Sequence, residues 1–276
     1  MMKRKKITNI LIQTMLFLLA IITLFPFAYI ILISLGANVI STSTFIPKEY
    51  TFENFKRLFS DTHFTSWLGN SFVIGLMTMI ISVVLVSITI YVFSRLKFYG
   101  KQKLFNFILL IQIFPLTLSM VSIFKIFVEF GLLNKSIGLI VVDATLASAG
   151  LIMLAKGYFD TIPYELDEAA MMDGASKFQI LTKITLPLAK PMIAIIAIQS
   201  FVIAYNEYTI ASAVMTTGVE SLPLAVGLQS IISGQYGINW SLYCAGAVIG
   251  SIPMIIIFYA LQKYFIGGLT EGGVKS

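Results

Sequence analysis

From Ile10 to Leu35 the chain passes no charged residue, a stretch long enough to cross the hydrocarbon of a bilayer as a helix. Comparable apolar runs follow at about Trp67–Phe93, Leu104–Phe127, Ile137–Tyr158, Met192–Met215 and Ser241–Tyr264. In lipid every backbone N–H and C=O must find a partner inside the protein, so only helices or closed barrels can span it. Runs of this length predict an all-α, polytopic membrane protein with six transmembrane helices. Composition agrees. Charged residues make up 12% of the chain and hydrophobic ones 58%, where a soluble domain carries about a quarter charged.

The net charge of +6 could suggest nucleic acid, but the placement of the cations argues otherwise. Lys3, Arg4, Lys5 and Lys6 precede the first run, and Arg95, Lys97, Lys101 and Lys103 follow the second. Alternate connections read as inside hold roughly fourteen cations against four outside, the bias expected of cytosolic segments. The basic balance therefore reports orientation, with both termini cytosolic and no nucleic-acid partner. The first run is too long for a signal-peptide core and is read as a retained span. Segment 36–66 is an outer loop with a short helix near Phe52–Phe59. The single Cys244 is read as a small apolar helix residue and the single His63 as a loop residue, so no metal site is expected.

Between the fourth and fifth runs lies a polar island, Tyr164–Pro191. It reads as a short helix, a joint at Gly174 and a second helix stopped by Pro187 and Pro191. Pro163 suits a first helical turn, and Glu165, Asp167 and Glu168 suit its positive dipole end. Ala169 and Ala170 are small enough for another surface to approach. The island holds no triad, metal-ligand cluster or phosphate loop, and no Gly-x-x-x-x-Gly-Lys-[Ser/Thr] occurs anywhere in the chain. It is expected to be a contact device rather than a catalytic one, and the chain is not expected to be an enzyme.

Polar residues inside the apolar runs are the candidates for a pathway. Gln199 and Asn206 are seven apart and share a helix face. With Glu207 they are expected to look into the bundle or the translocation pathway, because an ionised carboxylate facing lipid is costly. Pro115 is expected to bend the third span. Gly246-x-x-x-Gly250 in the sixth is a close-packing pattern used inside bundles as readily as for dimers.

Glu168-Ala169-Ala170, then Gly174, then Ile184 and Leu186-Pro187 resemble the EAA signature of ABC importer permeases: EAA, three residues, Gly, nine residues, I-x-L-P. All the specified positions match. The resemblance extends over essentially the whole chain. It is closest to the MalG-type permease subunits of carbohydrate importers, through Tyr91–Phe98, Lys156-Gly-Tyr-Phe159, Leu224–Gln229 and Gly268–Lys275. It implies a type I permease fold with a cytosolic coupling helix at about Glu165–Phe178. Glu168, Ala169, Ala170, Asp173, Gly174, Ile184, Leu186 and Pro187 would contact the ATPase, Glu168 facing an arginine there. The tail residues Leu269, Thr270, Glu271, Gly272 and Gly273 would reach the ATPase dimer, although Glu271 stands where such tails more often have Ala. The outer loop, read as Thr216–Trp240 and carrying Gly234, Gln235, Tyr236 and Trp240, would touch a binding protein.

The resemblance further implies a permease for oligosaccharides of the maltose or maltodextrin kind in a bacterial cell membrane. Its partners would be a homologous second permease, two ATP-binding subunits and an extracytoplasmic sugar-binding protein. ATP and Mg would be held by the partner ATPase subunits and no cofactor by this chain. Residues 1–9 would form a basic cytosolic terminus, 10–266 the permease domain with its coupling loop at 159–191, and 267–276 a cytosolic tail. The alternatives are a permease for a raffinose-type sugar or glycerol phosphate, or an ATP-independent secondary transporter. The last should show an ion path of buried charges or inverted repeats.

Overall fold

The computed structural model describes residues 2–37, 39, 46–113, 115–233 and 238–271, with side chains between 9 and 264 of these. Its regular elements are helices, in the order α1 (Met2–Ser34), α2 (Glu53–Ser60), α3 (Phe64–Arg95), α4 (Lys101–Ile113), α5 (Leu116–Glu129), α6 (Ser136–Phe159), α7 (Glu165–Met172) and α8 (Lys177–Ile180). A π-helical turn, Leu181–Thr185, leads into α9 (Leu186–Leu188), α10 (Lys190–Tyr205), α11 (Thr209–Val214), α12 (Leu224–Ile232), α13 (Trp240–Gly250) and α14 (Ile252–Glu271). One bridge, Gly36 to Tyr50, is the β contact among the described residues.

Five stretches are long and apolar enough to cross a bilayer: Asn9–Ser34, Phe64–Arg95, Ser136–Phe159, Lys190–Val214 and Trp240–Tyr264. The bent pair α4–α5 makes a sixth when its two halves are counted as one span. The third span is therefore not one helix. Pro115 stands just ahead of α5, and the two halves meet at 97°. The fifth departs from a continuous Met192–Met215 helix as well: α10 ends at Tyr205, and α11 starts afresh at Thr209. The Glu207 carboxylate accepts from the N–H groups of Ile210 and Ala211, 2.7 Å each, which are donors a new helix start leaves without an internal partner.

Two compact units emerge. One comprises Met1–Phe64 with Gly227–Ser251. Here the last turns of α1 pack on α13, with Ile33, Val39 and Cys244 buried beside Tyr29, Ile30, Trp240 and Tyr243. Asn54 of α2 donates to the carbonyls of Ser34 (2.8 Å) and Gly36 (2.9 Å), tying that helix to the end of α1. Gly246 belongs to this packing. A Cβ there would stand 2.3 Å from Leu228 Cδ2, so the small residue lets α12 and α13 approach inside the chain.

The other unit comprises Thr65–Val226 with Ile252–Ser276. Its core gathers Val86 and Ile90 of α3, Ala147, Leu151, Ala155 and Phe159 of α6, and Met192 and Ile196 of α10. Small residues on α6 bring the helices close; Ala144, Ala147 and Ser148 are all buried. Asp143 of α6 is buried too. At one end, Asn134 adopts φ +60° and its Oδ1 accepts from the N–H groups of Thr216 (2.7 Å) and Thr217 (2.8 Å).

Two further expectations change. The segment 216–240 is not simply a loop, because α12 occupies its middle: Leu224, Leu228 and Ile231 are buried at helical spacing. The glycine-rich end does not begin where the sixth span stops. α14 carries its backbone hydrogen-bond ladder through Gly267 and Gly268 to Glu271, since glycine weakens a helix without breaking it.

Candidate functional site

The polar island is built from local rules that the sequence states openly. α6 ends with an i,i+4 ion pair between Lys156 and Asp160. Pro163 lies ahead of α7 rather than in its first turn, since the helix begins at Glu165. The α7 terminus is a Schellman motif. Ala175 N–H donates to Ala170 O (2.9 Å) and Gly174 N–H to Met171 O (3.1 Å), with Gly174 at φ +81°. A capping box then starts α8: Ser176 Oγ accepts from Gln179 N–H (3.3 Å), and Gln179 Oε1 accepts from Ser176 N–H (2.8 Å).

The prolines do not stop the second helix. Pro187 falls in the first turn of α9 and Pro191 in the first turn of α10, where a missing N–H leaves no bond unmade. The π-helical turn and these two starts carry the chain almost without interruption from Ser176 into the fifth span.

The signature residues divide by face. Glu168 and Ala169 point outward with Asp173, Gly174 and Pro187, whereas Ala170 is buried. Ala170 packs with Tyr91, Ile180 and Leu181, and Ile184 and Leu186 lie half-buried against the same cluster. The two alanines thus have different tasks: Ala169 keeps the outer surface low, and Ala170 lets α7 lie close on its own chain. Large apolar side chains stand on the exposed surface. Met172 is 89% exposed and Phe178 72%, with Leu166 and Met171 more than two-fifths exposed. Sequence reading missed these four, although apolar side chains within a charged island were the available signal.

It also missed the charge pair beneath. Arg95, last residue of α3, places Nε 2.8 Å from Asp167 Oδ2, the side chains being 7% and 3% exposed. This is a charge contact without the alignment of a hydrogen bond. The guanidinium also donates to Ile162 O at 2.9 Å and lies 5.8 Å from the ring centre of Tyr164. Burial pushes the Asp167 carboxyl above its ordinary value, and Arg95 pulls it part of the way back. Such a pair adds little net stability, but removing one partner costs about 3–5 kcal/mol because a buried charge is left alone. Beside it a groove of about 630 Å³ opens between Arg95, Phe98, Tyr164 and Lys177.

The other expected positions fall elsewhere. Gln199 of α10 is exposed, and Asn206, just past the end of α10, donates to Val202 O (2.9 Å) and to Met254 Sδ of α14 (3.7 Å). Glu207 is half-buried and occupied in capping α11. Trp240 is half-buried, its ring edge-on against Tyr243 at 5.8 Å, and its backbone N–H donates to Val39 O. Gly234, Gln235, Tyr236, Gly272 and Gly273 lie outside the described residues. Leu269, Thr270 and Glu271 are helical in backbone.

Bent and continuous apolar spans, interrupted by one structured polar island, define a multi-pass helical membrane protein. Residues 92–270 match the family described as the binding-protein-dependent transport system inner membrane component, and the chain belongs to that family. It is a membrane permease family, not that of a catalytic subunit. The chain is 38% identical to the maltodextrin transport system permease protein MdxG of Bacillus subtilis, over 82% of this chain and 81% of the relative. It is also 38% identical to the galactooligosaccharides transport system permease protein GanQ of the same organism, over 87% and 85%. Identity to the maltose/maltodextrin transport system permease protein MalG of Yersinia pestis is 36%, over 91% and 88%.

Among solved structures, a bacterial ABC transporter involved in import of the acidic polysaccharide alginate superposes with TM-score 0.77 at 26% identity, covering 94% of this chain and 97% of that one. A second, the alginate transporter in complex with its pentasaccharide-bound periplasmic protein, superposes with TM-score 0.68 at 14% identity, covering 93% and 94%, and bears on the fold alone.

Proposed function

We propose that this chain is one of two homologous permease subunits of an ATP-driven importer for maltodextrin. In this reading two partner ATPase subunits hold ATP and Mg, and the chain itself binds no cofactor and catalyses no reaction. The observation that carries the reading is the division of α7. Its inner face is locked to its own chain through Asp167 and Ala170, and its outer face presents Glu168 and Ala169 beside Met172 and Phe178. A helix fixed on one side and offering the Glu168 carboxylate beside exposed apolar groups suits the docking of a second protein, with the charge setting register. Asp173, Gly174 and Pro187 are exposed as well.

The cation distribution supports a cytosolic island, with both termini on that side of a bacterial cell membrane. A binding protein would then dock outside, near the 230–240 segment, with Trp240 at its edge. The tail from Leu269 to Gly273 would meet the ATPase pair. Residues 10–266 would form the permease domain, and Gln199, Asn206 and Glu207 would border the pathway shared with the second permease.

The test is Glu168→Lys in the assembled complex. Membrane insertion should be normal, while uptake and the stimulation of ATP hydrolysis by loaded binding protein are lost, since repulsion replaces a charge-assisted contact. Wild-type uptake in this variant would overturn the coupling role. The equal identity to a galactooligosaccharide permease supports a second solute. Competition between labelled maltodextrin and unlabelled galactooligosaccharide decides between them.

A further inference from the structure

We propose that Arg95 is a positioning residue that ties the island to the end of α3, so that force on α7 reaches a span to which it is not joined in sequence. The proposal rests on the importer reading above. α7 is continuous with α6 on one side and, through α8 and α9, with α10 on the other, so those spans follow it through the covalent chain. α3 has no such connection: Arg95 and Ile162 are 67 residues apart.

One guanidinium bridges that gap with three contacts. They are the Asp167 carboxylate at 2.8 Å, the Ile162 carbonyl at 2.9 Å and the Tyr164 ring at 5.8 Å. Those three residues are the entry and first turn of α7. Tyr91, one turn earlier on α3, is buried against Ala170, Ile180 and Leu181. The last turn of α3 therefore grips both helices of the island, by charge at the start of α7 and by packing at its end and along α8.

The chemistry fits a tie that must hold one register under load. Arginine presents a planar fork of donors that meets a carboxylate and a carbonyl together, which a lysine ammonium does not reproduce. Both charged side chains are more than nine-tenths buried, so water competes little for the contact. A buried ion pair adds little to net stability over an apolar pair, yet it accepts only the arrangement that pairs it.

The experiment uses the complex in proteoliposomes with its ATPase subunits and binding protein, measuring labelled maltodextrin uptake and phosphate release together. Asp167→Ala and Arg95→Gln are each expected to lower uptake per ATP hydrolysed roughly tenfold, with phosphate release within about twofold of wild type. Asp167→Asn keeps the size of the side chain but removes the charge that makes the contact, and should lower the ratio as Asp167→Ala does. An unchanged ratio in the first two variants overturns the tie. Failure of both to assemble makes the pair a folding element and overturns it as well. Absence of ATP-driven uptake of both labelled maltodextrin and labelled galactooligosaccharide in wild-type vesicles sinks the importer reading instead. Hydrogen exchange over Glu165–Met172, which needs no solute, then decides: faster exchange in Asp167→Ala supports the tie, and unchanged exchange removes it.

Discussion

α1 and α7 invert the usual relation between hydrophobicity and burial. α1 is apolar over four-fifths of its length, yet only 6% of its most hydrophobic window is buried. Leu16, Phe17 and Ile22 are each more than half exposed, whereas Tyr29, Ile30 and Ile33 in the last turns pack with the rest of the unit. α7 has three acids in its first turn, yet it buries Asp167 and Ala170. Where lipid is the solvent, an apolar side chain gains nothing by leaving the surface. A charge taken out of water does incur a cost, so its burial marks a contact that the fold has built.

The sharpest way to break this comparison is to remove bulk at the packed end and in the exposed middle of α1. Ile33→Ala should lower stability by about 3 kcal/mol, because it opens a cavity among packed groups. Thermal unfolding of the purified chain in detergent measures it. Leu16→Ala on the same helix forms the opposite pole and comes last. Between them stands Gly174→Val. A Cβ at Gly174 meets no atom within 4 Å, so the expected loss of roughly 1–2 kcal/mol is the strain of φ +81° alone. Gly174→Asn, which tolerates that conformation, should lose less. Equal losses would refute the strain account.

A smaller effect sharpens the α7 side. Because burial raises the Asp167 carboxyl above its ordinary value, ionising it works against the fold. Its contribution is fully present below the ordinary carboxylate range and is lost as pH rises through the raised value. Asp167→Asn removes that loss, so its unfolding temperature should gain on wild type as pH rises. A gain confined to acid pH would contradict the direction. Last, Leu16→Ala should change the stability of the isolated chain by no more than about 0.5 kcal/mol. A larger change would mean that α1 packs against its own chain after all.

Much of the site was legible in order along the chain. The EAA spacing placed α7 and the Gly174 joint, because a helix start, a left-handed cap and a restart are encoded within a few consecutive residues. The prolines misled for the same reason. A proline that ends one helix and a proline that opens the next look alike in sequence, and the π-helical turn before Pro187 decided between them. Gln199 and Asn206 kept their spacing, but the break after Tyr205 gave Glu207 a capping task that no periodicity announces.

What the sequence determined by itself was the all-α membrane class, the approximate limits of five of the spans and the position of the island. Hydropathy, cation placement and capping act over one helix or one turn, so they can be read locally. Only the tertiary structure decided which alanine of the signature faces inward, where the third and fifth spans break, and that Arg95 meets Asp167. A contact between α3 and α7 is a property of how two helices pack, and nothing in the letters near either residue distinguishes a buried charge from a solvated one.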